Sequence, residues 1–260
     1  MDTQLKGQRV LVTGGSKGIG YQIALTFAQE GAHPILVSRT QASLDEAAQR
    51  MEQATGIRPQ VVAADLSDPA APQALLQQVG EVDVLVNNAG AIPGGDIQQV
   101  DDATWRRAWD LKVFGFIHMT RVFLPGMEQR QRGVILNIIG QAGAAPRADY
   151  ICGSTGNAAL MAFTCAMGGA SVQHGVRIFG INPAPTRSDR MESLMRFQAE
   201  QRLGDPERWF ELTKNLAFGR LIEPDEIAKL AVLCASPLCG YLSGTVINVD
   251  GGMPYATPRY

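Results

Sequence analysis

The sequence predicts a three-layer, doubly wound α/β fold around a seven-stranded parallel sheet. Short β-branched apolar runs alternate with longer helical patterns along the 260 residues. Most of these runs are nearly continuous apolar segments, which is typical of strands that are buried on both faces of a parallel sheet. No linker and no repeat of about 20–50 residues interrupts the alternation. We therefore expect one domain over residues 1–260.

Each strand and helix follows from this alternation in chain order. The seven runs that predict strands are Arg9–Val12, Pro34–Val37, Gln60–Ala63, Val82–Val86, Val134–Ile138, Val176–Ile181 and Thr245–Val249. The longer patterns that predict crossover helices are Ile19–Glu30, Ser43–Ala54, Ala70–Val79, Thr104–Glu128, Tyr150–Val172 and Asp225–Ala235. Right-handed crossovers between parallel strands place such helices on both faces of the sheet.

The stretch Ser188–Gly219 fits no strand–helix repeat. Its helical patches, Met191–Arg202 and Pro206–Asn215, follow the carboxyl end of a strand, where open α/β sheets bind their ligands. This position predicts a lid over a substrate, and the alternative is a surface helical pair that only covers the sheet edge. This segment contains four large apolar residues, Met191, Leu194, Met195 and Phe197. They favour a substrate with an apolar body; the alternative is that they are ordinary core residues.

Composition and charge exclude several classes of protein. The chain is 45% hydrophobic and 18% charged, and its 23 basic and 25 acidic residues give a net charge of -2. A nucleic-acid-binding protein needs a basic excess, and a disordered chain needs less apolar content and a larger net charge. The charge-free segment between Asp149 and Arg177 is too polar for a membrane span. We expect neither a nucleic acid nor a membrane as a partner.

The cysteines and histidines show no CxxC pair and no metal-ligand spacing, so we expect no bound metal. The first residues lack the uninterrupted apolar stretch of a secretory signal. Sparse cysteines are typical of reduced thiols, and the expected location is cytoplasmic.

A glycine-rich turn is the strongest functional signal in the sequence. Thr13–Gly20 reads TGGSKGIG, directly after the first predicted strand and at the start of the first predicted helix. Small residues let the backbone approach a pyrophosphate, whose charge meets N–H groups at the positive end of the helix. This context predicts a dinucleotide site. Its binding residues are Gly14, Ser16, Lys17, Gly18, Ile19 and Gly20.

The end of the second strand indicates which dinucleotide binds. An NAD site usually has an acidic residue there, whereas an NADP site offers a cation to the 2′-phosphate. The sequence has Ser38 and Arg39 at this point, and Lys17 adds a second cation from the turn. We therefore expect NADP(H) as the cofactor. The alternative is that Arg39 is only a solvated surface charge.

Further motifs follow the glycine-rich turn along the chain. They are Asp65, Asn87–Gly90, Tyr150, Asn182–Pro185, Ser243–Thr245 and Asp250–Gly252. Together with the turn, this set resembles the short-chain dehydrogenase/reductase family over essentially the whole chain. The resemblance implies a Rossmann fold and an oxidoreductase.

The resemblance also implies further cofactor-binding residues. Asp65, with Leu66 beside it, would contact the adenine, and Asn88, Ala89 and Gly90 would line the adenosine ribose. Ile139 would lie against the cofactor. Pro183 and Ser188 would face the nicotinamide carboxamide. The family is usually tetrameric, which implies a homo-oligomer, either a dimer or a tetramer. In such an assembly the tail Pro254–Tyr260 could reach a neighbouring subunit.

The sequence departs from the family at three of four catalytic positions. The family pattern has a serine after the fifth strand, a tyrosine, a lysine four positions later, and an asparagine in the preceding long helix. Tyr150 matches the tyrosine, whereas the other three positions hold Gly140, Ser154 and Lys112. We expect Tyr150, Lys112 and Ser154 to form the catalytic set, with Ser154 or Gln141 as the donor that replaces the serine.

The chemistry of a phenol limits what Tyr150 can do unaided. With a pKa near 10 a phenol is neutral at pH 7 and can give a proton to a carbonyl, whereas alcohol oxidation needs the tyrosinate. A cation within roughly 4–6 Å lowers such a pKa by about 1–3 units. Lys112 would supply this cation; the alternative is that it pairs with Asp110 or Asp149, or faces water.

The sequence thus predicts an NADP(H)-dependent carbonyl reductase or alcohol dehydrogenase that acts on a ketone or an aldehyde. The alternative is an NADP(H)-binding regulator, or an inactive partner subunit, with little or no hydride transfer.

Overall fold

The computed structural model describes residues 1–255, except for the side chain of Arg190, and the tail beyond residue 255 lies outside the described residues. Within this range seven parallel strands form one sheet in the order β3-β2-β1-β4-β5-β6-β7, which confirms the predicted fold class. The strands are β1 (Arg9–Thr13), β2 (His33–Ser38), β3 (Gln60–Ala63), β4 (Val84–Asn87), β5 (Gly133–Ile138), β6 (Val176–Pro183) and β7 (Val246–Val249).

Helices cover both faces of this sheet. They are α1 (Gly18–Gln29), α2 (Gln41–Thr55), α3 (Ala71–Val79), α4 (Asp102–Trp109), α5 (Gly115–Gln129), α6 (Ile151–Ser171), α7 (Asp189–Leu203), α8 (Trp209–Leu212) and α9 (Pro224–Ala235). Alternate strand residues point to opposite faces. Val10 and Val12 therefore pack with α1, α2 and α9, whereas Leu11 packs with α3 and α5.

The strand order reverses between β1 and β4, and this reversal positions the site. Connections leave β1 and β4 in opposite directions, so a crevice opens at the carboxyl ends of the central strands. In the pairing register Val12 lies beside Val86, and Asn87 lies beside Asn137. The residues that follow these strands therefore meet at one edge of the sheet.

The long helix predicted over Thr104–Glu128 contains a π-helical segment, Asp110–Phe114, between α4 and α5. Such a segment adds one residue to a turn, and it is frequent at functional sites. Lys112 lies within it.

Helix α6 packs unusually close to the sheet. A β-carbon at Gly168 would lie 2.3 Å from the carbonyl oxygen of Ile178 and 2.4 Å from the amide nitrogen of Gly244. Only glycine allows this backbone-to-backbone contact. Within the described residues no helix, α6 included, is long and apolar enough to cross a membrane.

The segment after β6 forms only one of the two helical patches that the sequence predicts. The first helical patch is α7, but the second, Pro206–Asn215, is broken into short turns around α8. Gly204 ends α7 with a φ of 70°, and Pro206 starts a separate turn. At the base of the segment Arg187 donates to Glu223 at 2.8 Å and to Glu192 at 3.1 Å.

Candidate active site

The glycine-rich turn is tied to the end of β4. The Thr13 hydroxyl accepts hydrogen bonds from the backbone N–H groups of Asn88 at 2.8 Å and Ala89 at 3.0 Å. The Asn88 side-chain amide donates to the carbonyl oxygen of Thr13 at 3.0 Å. The turn and the Asn88–Gly90 segment therefore form one rigid edge at the carboxyl ends of β1 and β4.

The glycines of the turn have different physical roles. Gly14 has a φ of 65°, which favours glycine. A β-carbon at Gly20 would lie 2.4 Å from both the Gly14 carbonyl oxygen and the Asn88 amide nitrogen, so Gly20 is needed for packing. Gly18 begins α1 with a φ of 58°, and nothing lies within 4 Å of the position that its β-carbon would take. The first N–H groups of a helix have no partners within the helix, so the start of α1 favours an anion.

The end of β2 combines an unpartnered polar atom with a cation. The Ser38 hydroxyl is buried and has no hydrogen-bond partner among residues 1–255. Arg39 is exposed beside it. Hydrogen bonds from Ser67, and to a smaller extent the charge of Arg39, hold the pKa of the exposed Asp65 carboxyl below its ordinary value. Leu66 is buried next to it.

A further cation, Arg50 on α2, lies beside the turn and was not anticipated from the sequence. Its guanidinium donates to the Ser16 carbonyl oxygen at 3.3 Å and lies 4.5 Å from the ring centre of Tyr21. Lys17 is exposed at the start of α1. Arg39, Arg50 and Lys17 thus give this end of the crevice a positive character.

Tyr150 precedes the first turn of α6, and its ring lies against Gly153. A β-carbon at Gly153 would lie 2.0 Å from Cε1 and 2.2 Å from Cζ of that ring. The backbone around Tyr150 is held by Gly95, whose N–H donates to Asp149 and whose carbonyl accepts from Ile151. Glycine at position 153 therefore leaves the space that the Tyr150 ring occupies.

Apolar groups surround one side of the phenol. Tyr150 packs beside Trp105 and Trp109 against a small buried cluster that includes Ile92 and Cys152. Burial raises the pKa of the Cys152 thiol, which favours packing over nucleophilic chemistry at this position.

Lys112 reaches the carboxyl end of β5. Its ammonium donates a hydrogen bond of 2.6 Å to the carbonyl oxygen of Ile139. Its aliphatic stem crosses Gly90, where a β-carbon would lie 2.9 Å from Cδ. The side chain is thus directed across the ends of β4 and β5. Asp149, one of the alternative partners of Lys112, forms an ion pair with Arg147.

Gly140 follows Ile139 at the end of β5. It has a φ of 141°, and its N–H donates to the Asn182 side chain at 3.2 Å. Ile139 is buried, and its own N–H donates to the carbonyl oxygen of Ile181. Gln141 begins a short 3-10 turn directly afterwards.

Ser154 closes the loop before α6. Its hydroxyl accepts from the Arg147 N–H at 2.9 Å and donates to the Arg147 carbonyl oxygen at 3.1 Å. The side chain is buried, with 1% exposed. Ser154 therefore helps to hold this loop, and that role needs no contact with a substrate.

The two predicted residues after β6 lie where the segment toward α7 begins. Pro183 is the last residue of β6, and the Ser188 hydroxyl caps α7 by accepting from the Met191 N–H at 3.2 Å. In the described part of the chain, no group of three or more histidine, cysteine, aspartate or glutamate residues could hold a metal ion.

Comparison with known proteins identifies the family. The sequence pattern described as short chain dehydrogenase matches residues 8–199. The chain belongs to this family. This chain is an oxidoreductase of the dehydrogenase/reductase type, with residues suited to a nicotinamide cofactor.

Individual relatives resemble the chain over almost its full length. Galactitol 2-dehydrogenase (L-tagatose-forming) of Cereibacter sphaeroides is 33% identical over 96% of each chain. The 7alpha-hydroxysteroid dehydrogenase of Escherichia coli (strain K12) is 31% identical over 96% of this chain and 95% of its own. The structure of L-sorbose reductase from Gluconobacter frateurii, complexed with NADPH and L-sorbose, has a TM-score of 0.91 at 30% identity, covering 99% of this chain and 100% of that one.

The contact between Tyr150 and Gly153 gives a test that needs no substrate. Gly153→Ala should lower the free energy of unfolding by about 1–3 kcal/mol, because the added methyl overlaps the ring. Gly169→Ala is the matched control on the same helix, because nothing lies within 4 Å of its β-carbon position. It should raise the free energy by up to about 1 kcal/mol through helix propensity. Urea unfolding measures both, and equal changes would contradict the placement of the ring.

Proposed function

We propose that the chain is an NADP(H)-dependent carbonyl reductase in which Tyr150 gives the proton. The observation that carries this proposal is the position of Tyr150 at the head of α6, with its ring against Gly153 and the Lys112 ammonium at the end of the neighbouring strand β5. Both side chains lie at the carboxyl ends of the strands, at the same edge of the sheet as the glycine-rich turn.

The residues at the crevice fit NADP(H). The buried Ser38 hydroxyl, which has no hydrogen-bond partner within residues 1–255, and the exposed Arg39 suit a 2′-phosphate. The start of α1 at Gly18 suits a pyrophosphate. Asp65 and Leu66 would hold the adenine end, and Asn88–Gly90 the ribose. Ile139, Pro183 and Ser188 would lie along the nicotinamide half. When bound, the cofactor supplies the hydride that reduces the carbonyl carbon.

Tyr150 would give its proton to the carbonyl oxygen. A phenol is neutral at pH 7, so the resting side chain already carries the proton that the reduction consumes. The reverse reaction needs the ionised phenol, for which the Lys112 ammonium provides a stabilising charge. We propose that Lys112 serves where the family has its lysine at the position of Ser154, which instead holds the loop at Arg147.

The substrate is proposed to be a ketone or an aldehyde. The relatives named above act on galactitol, L-sorbose and a hydroxysteroid. The first two substrates are polyhydroxylated, and the third has an apolar body. Residues 188–219 would form the lid of this one-domain protein. Leu194 and Phe197 are exposed on α7, which suits an apolar body, whereas Met195 is buried and serves packing.

We also propose a cytoplasmic homo-oligomer, a dimer or a tetramer. Helix α6 exposes small uncharged residues on the side that faces away from the sheet: Thr155, Ala158, Ala159, Ala162, Cys165 and Ala166. A second subunit could cover this face without burying a charge.

NADPH oxidation with a panel of carbonyl compounds tests the function. The panel contains L-sorbose, L-tagatose, dihydroxyacetone, cyclohexanone and acetophenone. Wild type should turn over at least one of them, and Tyr150→Phe should lower kcat by about 100–10,000-fold, because general acid catalysis is lost. Tyr241→Phe, at a fully exposed tyrosine, is the control and should leave kcat unchanged.

Two results would contradict the proposal. Equal turnover by wild type and Tyr150→Phe would exclude Tyr150 as the proton donor. Tight binding of NADPH without turnover of any compound would favour the alternative, an NADP(H)-binding regulator or an inactive partner subunit.

The cofactor preference is tested at Arg39. A hydrogen bond to a charged group contributes about 1.5–3 kcal/mol, so Arg39→Gln should weaken NADPH binding by about 10–100-fold. Binding of NADH, which lacks the 2′-phosphate, should change little. Arg58→Gln is the control, because Arg58 is an exposed arginine that pairs with Glu52. Fluorescence titration gives both constants, and an equal loss for NADPH and NADH would refute the role of Arg39.

A further inference from the structure

Helix α6 turns one buried side toward the sheet beyond Tyr150. Gly153, Asn157, Leu160 and Thr164 follow one another on this side at intervals of three or four residues. The Thr164 hydroxyl has two partners, since it donates to the Leu160 carbonyl oxygen at 2.7 Å and accepts from the Asn137 amide at 2.8 Å. Most of this side is thus either apolar or internally hydrogen-bonded.

Asn157 is the exception on this side. It is 2% exposed, and within residues 1–255 its Oδ1 atom is buried without a hydrogen-bond partner. Burying an amide oxygen in this way opposes folding, because its hydrogen bonds to water are lost and not replaced. An apolar side chain would occupy this position without that loss. Packing therefore does not explain why an asparagine stands here.

The amide nitrogen of Asn157 points at the end of β5. It lies 2.9 Å from the position that a β-carbon at Gly140 would take. The amide thus occupies the space beside Gly140 into which a longer side chain would project. Gly140 directly follows Ile139, whose carbonyl oxygen holds the Lys112 ammonium. One helical turn before Asn157 is Gly153, on which the Tyr150 ring lies.

We propose that Asn157 is a catalytic residue whose Nδ2 donates a hydrogen bond to the reacting carbonyl oxygen, in the space left by Gly140. This inference rests on the proposed reductase function. Negative charge grows on that oxygen during reduction, and a donor already in place stabilises it. An amide is neutral at every accessible pH and keeps both of its protons, so the proton that completes the reaction still comes from Tyr150.

Replacement of the amide by an apolar side chain with the same number of heavy atoms gives the first test. Asn157→Leu should lower kcat by about 100-fold with the best ketone of the panel, as removal of one such donor does in other enzymes. The Kd of NADPH should change by less than about twofold. Ser171→Ala is the control: it removes another buried hydrogen bond of α6, from the Ser171 hydroxyl to the Val176 carbonyl oxygen, far along the helix. It should reduce stability but not kcat.

Moving the donor separates catalysis from packing. Asn157→Ala should lose kcat as Asn157→Leu does, and Asn157→Gln, which keeps an amide donor on a longer side chain, should retain at least tenfold more kcat than Asn157→Leu. A packing role for Asn157 predicts no advantage of glutamine over leucine, because both side chains are larger than asparagine. Thermal unfolding of each variant shows whether it is folded at the assay temperature.

A spectroscopic measurement distinguishes failure of this inference from failure of the proposed function. The protein is labelled with ¹⁵N at asparagine side-chain amides, and the Asn157 signal is assigned by its absence in Asn157→Leu. In the presence of NADP⁺, dihydroxyacetone or cyclohexanone should shift that signal. An unmoved signal together with a normal kcat in Asn157→Leu would overturn the inference. If no ketone of the panel is reduced, the proposed function fails and this inference falls with it. If Tyr150→Phe lowers kcat while Asn157→Leu leaves it normal and the signal does not move, the inference alone fails.

Discussion

The close seating of helix α6 on the sheet is the constraint on which the site depends. Gly168 brings the helix backbone against Ile178 and Gly244, and the bond between Thr164 and Asn137 ties it to β5. Because α6 begins immediately after Tyr150, its position relative to β5 determines how far the phenol lies from the strand end. Any residue larger than glycine at position 168 would push α6 away from the sheet and move Tyr150 relative to β5.

The fold was predictable because burial on both faces of a parallel sheet leaves a direct mark on the sequence. Continuous apolar runs indicated all seven strands, and the longer patterns between them indicated the crossover helices. Two details were not predictable. The π-helical segment Asp110–Phe114 inserts a residue without altering the apolar pattern. The patch Pro206–Asn215 has helical composition, but local turns around Pro206 divide it.

Candidate site residues could be predicted where they are tied to local sequence, and less so where they depend on packing. The glycine-rich turn stood out by its spacing and context, and Tyr150 and Lys112 stood out through the family resemblance. Arg50 did not, because a long side chain on α2 reaches the turn only through the tertiary fold. Asn157 carried one signal in the sequence, a lone amide on the side of α6 that continues from Tyr150, but its meaning depends on the bare backbone of Gly140 beside it.

The pH dependence of alcohol oxidation tests most directly whether Lys112 supplies the charge that favours an ionised Tyr150. The cation favours tyrosinate, so its removal raises the pH at which the phenol ionises. The account predicts that Lys112→Met moves the midpoint of the pH profile for NADP⁺ reduction upward by about 1–3 units, whereas Lys112→Arg stays near wild type. Identical midpoints in wild type, Lys112→Met and Lys112→Arg would contradict it.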